Sequence, residues 1–169
     1  PEFLCTKFSK NIKIDGSQIQ KDDIEFLLKE AKRQLILNDR KQSLIHIFNH
    51  NYIVDGKEFR EEPIGVYADV LSHEITFITA PTNNLKNINK VFIDCDIEIE
   101  RLISRTFALG VEALNSKELE FGSSIINLDI EKTSIGLFKN FALIHSATFP
   151  IGINHIIKDI AQVCSLNID

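Results

Sequence analysis

The stretch Ser123–Cys164, SSIINLDIEKTSIGLFKNFALIHSATFPIGINHIIKDIAQVC, decides how this chain is read. It opens with an apolar strand ending in Asp129 and turns tightly through Ile130-Glu131-Lys132. It returns as two more alternating strands and reaches Pro150-Ile151-Gly152-Ile153-Asn154, which opens a helix. Asp129, a carboxylate at the carboxyl end of a strand, and the hydroxyls Thr133 and Ser134 after the turn are the candidates that remain once the common catalytic motifs are excluded.

Working outward, Ile97 to Ile103 (IEIERLI) alternates as a strand does. Ser104 to Leu114 reads as a helix with Phe107, Ala108, Val111 and Leu114 inward, and Ser116 to Glu120 is polar. Earlier in the chain, residues 2–8 and 11–14 read as extended and Asp15-Gly16-Ser17 as a turn. Ile24, Leu27, Leu28, Ala31 and Leu35 then repeat at helical spacing, with Asp22 and Asp23 near the positive helix start, where paired aspartates serve as dipole-matching surface charges. Leu44, His46 and Phe48 alternate with Ser43, Ile45 and Ile47 in a strand apolar on both faces, followed by Asp55-Gly56 in a loop. Val66 to Leu71 and Glu74 to Ala80 read as two extended runs, and Thr82 as the cap of a helix carrying Leu85, Ile88, Val91 and Phe92 on one face.

The chain of 169 residues is 44% apolar, enough for one ordinary domain or two small ones around a real core. A net charge of -5 and a pI near 5.6 argue against a nucleic-acid or anionic-membrane surface, which needs a concentrated positive face. Cys5, Cys95 and Cys164 are odd in number, far apart and without a CxxC pair, which reads as reduced thiols of a cytosolic protein, a disulfide between two of them remaining open. No apolar run reaches membrane-span length, so no direct membrane insertion by this chain is expected, and PEFLCTKFSK lacks the pattern of a signal peptide. Methionine is absent and the first residue is Pro1, as expected of an excised fragment or a processed amino terminus.

Among constellations that carry chemistry elsewhere, His46 and His50 have a metal-binding spacing only if they lie on a helix, and they fall in a strand-like run. His73-Glu74 starts like HExxH, but Phe77 stands where the second histidine belongs. Asp94, Asp96, Glu98 and Glu100 form an alternating acidic row without the central glycine and terminal glutamate of a calcium loop, so they read as a solvated face. No G-x-S-x-G elbow, Walker A or G-x-G-x-x-G loop occurs. No catalytic residue and no metal site are assigned.

The order of elements resembles the bacterial cell-division protein FtsA, a member of the actin-like ATPase superfamily. In the first half the resemblance rests on a helix, a strand with Asn49 to Asp55 at its end, Pro63-Ile64-Gly65, and a strand ending in Ile78-Thr79 before a helix. In the second half it rests on the hairpin after Asp129 and on Pro150-x-Gly152. The resemblance implies an α+β chain: a small strand-helix-strand-strand subdomain at residues 1–94, the family-specific interaction subdomain. Part of an actin-like, ribonuclease-H-like α/β subdomain follows at 95–169, and the chain would be an internal fragment. It implies nucleotide contacts at Asp129, near the metal, at Thr133 and Ser134 after the turn, and at Gly152. The family writes the turn Asp-Ile-Gly-Gly-Gly-Thr, whereas this chain has Asp129-Ile130-Glu131-Lys132-Thr133-Ser134. A turn without glycine approaches phosphate less closely, and Glu131 puts a carboxylate where an anion would sit. ATP and magnesium are thus expected for the full-length family and not for this chain. Further expectations are a non-enzymatic scaffold that links filaments of the tubulin-like FtsZ to the inner face of the cell membrane at the division site and recruits later division proteins. Self-association is expected, and contact with nucleic acid is not. The alternatives are a pilus-assembly actin-like scaffold and an actin-like ATPase or phosphotransferase; the latter lacks a catalytic base here.

Overall fold

The strand β4, Tyr67–Pro81, is the axis of the first half. In a computed structural model describing residues 3–38 and 41–167, it lies between β1 (Leu4–Gln18) and β2 (Gln42–Val54), antiparallel to both. A short strand β3 (Lys57–Phe59) completes the sheet, in the order β1-β4-β2-β3. A strand with neighbours on both sides and cover on both faces is apolar at nearly every position. Thr76 to Ala80 are all buried for that reason. Leu71, Ile75 and Phe77 take the helix α1 (Lys21–Asn38) through Ile24, Leu27 and Ala31. On the other face, Ile78 meets Phe138 and Leu143 of the second half. Each large side chain removed from water in this way contributes about 2 kcal/mol.

The second half is a three-stranded antiparallel sheet, β5 (Ser123–Leu128), β6 (Thr133–Lys139) and β7 (Ala142–Phe149), in sequential order. The helix α3 (Arg105–Ala113) crosses its inner face with Gly110 directly over the Phe138 ring. The outer face is bare: Ile126 is 69% exposed and Leu128 47%. Beyond it, α5 (Ile153–Cys164) buries only Ala161 of its described residues. The two sheets meet in a seam with an apolar centre of Ile78, Phe138, Leu143 and Phe107. Polar contacts flank that centre: Asn140 Nδ2 donates to Asn51 Oδ1 at 2.9 Å, and Arg60 pairs with Glu120 at 2.6 Å.

The α+β architecture matches the sequence reading, with corrections inside it. Residues 2–8 and 11–14 were expected as separate stretches with a turn at 15–17; from Leu4 onward they form one strand, residue 2 lying outside the described residues. Asp15 and Gly16, at φ 53° and 77°, make a bulge where the register with β4 shifts between Lys13 and Ser17. Val66–Leu71 and Glu74–Ala80 are not two runs, because β4 continues unbroken through Ser72 and His73. Asp55-Gly56 is a two-residue hairpin turn with φ 47° and 82°, the left-handed pair such turns need, and it generates β3. Asp55 then uses its carboxylate to accept the N–H groups of Asp69 and Val70.

Thr82 is the first residue of α2 (Thr82–Ile93) and not its cap; Pro81 precedes the helix, and the Thr82 hydroxyl bonds Ser43 Oγ at 2.8 Å. Val91 and Phe92 are exposed, so the expected apolar face of α2 is only partly covered, by contacts at Leu85 and Ile88. Residues 97–103 form no strand, because no described strand lies alongside to complete a ladder. Ser116–Phe121 is a short helix, α4, closed by a capping box in which Asn115 Oδ1 accepts from Glu118 N while Glu118 accepts from Asn115 N. No helix of the described residues is long and apolar enough to cross a membrane.

Candidate functional site

Asp129, Thr133, Ser134 and Gly152 converge on one hairpin, and the fold explains how. Asp129 follows β5 directly, its N–H donating to Lys132 O at 2.9 Å to close the turn. Its Oδ1 accepts the Ile130 N–H at 2.9 Å, and its Oδ2 takes the Arg105 guanidinium from the start of α3. The Ile130 N–H and the Arg105 cation hold this carboxyl below the usual range. Thr133 Oγ1 donates to Ile151 O at 2.6 Å, tying β6 to the segment before α5. Ser134 Oγ accepts from Thr148 Oγ1 across the β6–β7 ladder at 3.5 Å.

Gly152 sits against the turn so closely that a Cβ would lie 2.4 Å from both Asp129 O and Ile130 O. That approach lets α5 cap itself on the hairpin: Ile153 N–H donates to Asp129 O and Asn154 N–H to Ile130 O, each at 3.0 Å. His155 N–H turns back to Gly152 O at 3.1 Å, and His155 Nδ1 accepts the Gly152 N–H. The first N–H groups of a helix are a ready anion site when free. Here carbonyl oxygens already fill them.

Arg105 and Asn154 complete the site and were not found from the sequence. Asn154 Nδ2 donates to Glu131 Oε1, fixing at the turn the carboxylate that replaces glycine. Arg105 stands 24 positions before Asp129, and no local pattern links it to the hairpin. With Lys132, Thr106, Ser134, Ser146 and Thr148 it lines a cavity of about 230 Å³. Pockets that enclose larger organic ligands run from about 300 Å³ upward. Asp129 is neutralised by a guanidinium, Glu131 is anchored beside the turn, and the cavity is small. This donor set does not fit a nucleotide with its magnesium.

The other residues weighed from sequence lie apart from the hairpin. His46 and His50 are on β2, and His73 is on β4, buried and stacked on Tyr52 with centroids 4.3 Å apart. The acidic row Asp94–Glu100 is exposed, and no group of three or more potential metal ligands forms among the described residues. Cys5 is half-buried, its thiol pushed up by burial, while Cys95 and Cys164 are exposed; all three are free.

Comparison with known proteins finds similarity over most of the chain. The family described as "SHS2 domain inserted in FTSA" matches residues 3–79, which covers the first sheet with α1 almost to its end. The cell division protein FtsA of Agrobacterium fabrum is 25% identical over 162 residues, 96% of this chain and 36% of the relative. FtsA of Pseudomonas aeruginosa is 27% identical over 89% of this chain, and that of Buchnera aphidicola 28% over 92%, each across 36% of its own length. The chain therefore spans little more than a third of the curated relatives it matches. With residues 3–79 matching the SHS2 domain and similarity extending over most of the rest, this chain is similar to the FtsA cell-division proteins along nearly its whole length.

Proposed function

We propose that the chain serves as a cell-division scaffold of the FtsA type, working through protein contacts and not through turnover of a bound nucleotide. The observation that carries this reading is the pairing of a well-built SHS2 sheet with a hairpin whose polar groups are engaged with one another. In this reading the whole protein links FtsZ filaments to the inner face of the cell membrane at the division site, and residues 3–79 contact later division proteins. Self-association belongs to it as well, since Ile126, Leu128 and Phe149 are exposed on the second sheet. The named relatives are division proteins, which favours this reading over a pilus-assembly scaffold.

Removal of the SHS2 segment from the whole protein tests the proposal. Fluorescent late division proteins should lose their midcell position while the truncated protein keeps its own. Normal recruitment by the truncated protein would sink it.

A further inference from the structure

His46 and His50, four residues apart on β2, both engage the seam between the two sheets, His46 as an acceptor and His50 as a donor whose other ring nitrogen is buried. The N–H of Ser104, the residue that caps α3, donates to His46 Nε2 at 3.0 Å. A backbone amide can only donate, so this nitrogen must carry its lone pair. His46 also lies against Phe48 and Phe107, at 5.6 and 5.3 Å between ring centroids. Protonation removes the acceptor and places a cation between two aromatic rings and an amide N–H aimed at it.

His50 lies in the irregular stretch of β2 where the register with β4 shifts between Asn49 and Asn51. Its Nε2 bonds Thr76 Oγ1, and that hydroxyl donates its hydrogen to Ile144 O of β7 at 3.3 Å. With the hydroxyl hydrogen committed, His50 Nε2 must be the donor. A hydrogen-bond chain then runs from β2 through β4 to β7. His50 Nδ1 is buried and has no partner among the described residues, so a second proton there finds no acceptor.

We propose that these two histidines form a proton-releasable clasp, closed while both are neutral, that holds the SHS2 sheet against the β5–β6–β7 unit. The charged surroundings set its bias. Arg101 faces His46 from the segment before α3. Lys7 on β1 faces His50, and His73 on β4 lies near it. Glu58 on β3, Glu74 on β4 and Lys139 on β6 line the cavity beside it, about 420 Å³. The nearest named cations oppose protonation of each histidine, while the two glutamates favour it at His50. The Arg60–Glu120 pair and the Asn140–Asn51 bond lie in the same seam without an imidazole.

The test uses the chain itself, followed by amide hydrogen exchange from pH 7.5 to 4.5 and corrected for the intrinsic pH dependence of exchange. Protection of the Ser104 amide and of β7 around Ile144 is expected to fall at least tenfold more than that of the α1 amides as the histidines protonate. In a His46→Gln, His50→Gln variant that extra loss should disappear. Parallel loss in both proteins, or retention of protection by the wild type, overturns the proposal. Should the variant fail to fold, nitrogen chemical shifts of the wild-type imidazoles at pH 7.5 decide it: an unprotonated Nε2 on His46 and an unprotonated Nδ1 on His50 support the clasp, and either opposite tautomer refutes it.

Discussion

Gly110→Ala places a methyl group where the second sheet has no room. The new Cβ would stand 2.0 Å from Phe138 Cζ and 2.5 Å from its Cε2. Carbon atoms settle at about 3.5–4 Å, so the ring or the helix must withdraw by about 1.5 Å. Phe138 is 1% exposed and wedged beside Ile78 and Leu143, so the ring has no open side. Overpacking of this kind costs about 1–3 kcal/mol, and a direct overlap with a trapped ring belongs at the upper end. Alanine is better than glycine in a helix by about 1 kcal/mol, which offsets part of that. The net expectation is a loss of about 2 kcal/mol, or about 4–8 °C in melting temperature for a chain of this size. The opposing propensity term makes the sign informative: at an open helical position this substitution would stabilise. Urea unfolding of wild type, Gly110→Ala, Phe138→Leu and the double variant closes a cycle, and in the Phe138→Leu background the added methyl should be neutral or favourable. A Gly110→Ala protein as stable as wild type, or equal costs in both backgrounds, would refute the packing of α3 on Phe138.

Phe141 turns the β6–β7 hairpin at φ 61° beside Asn140 at 51°, and it is 56% exposed. Phe141→Gly should therefore stabilise by about 1 kcal/mol, read from the urea midpoint, by removing a side chain from left-handed backbone. Burial holds His50 and His73 down to about 4, against about 6.5 in an unfolded chain. The unfolded state then binds more protons between those values, so this part of stability is complete above about pH 6.5 and is lost as pH falls toward 4, on the order of 3 kcal/mol per histidine. His73→Phe, which also removes two ring nitrogens without a partner among the described residues, should flatten the pH dependence of the unfolding free energy; an unchanged slope would contradict the burial of His73. Titration calorimetry with ATP and magnesium should give no saturable heat at micromolar concentrations, and a micromolar dissociation constant abolished by Asp129→Ala would refute the engaged hairpin.

The elements that were legible in the sequence are those whose signal is local. The helical repeat from Ile24 to Leu35, the two-faced apolar strand around His46 and the order Asp129, turn, strands, Gly152 all depend on spacing along the chain, and each stands in the fold. Asp129, Thr133, Ser134 and Gly152 lie close together because one hairpin and the helix after it join them within two dozen residues. The misreadings arose where a distant neighbour decides. Residues 97–103 alternate like a strand, but a ladder needs a second strand, and no described strand runs beside them. Asp15-Gly16 has turn chemistry, yet pairing with β4 on both sides turns it into a bulge.

Arg105 on Asp129, Asn154 on Glu131 and the N–H groups of α5 on the hairpin carbonyls were beyond any reading of the linear chain, because each is a contact between separate elements. The same holds for the neutral state of His46 and His50. Sequence determined which residues could carry charge, turn or pack; tertiary structure decided which of those groups face one another, and burial and hydrogen bonding between distant segments set what they can do.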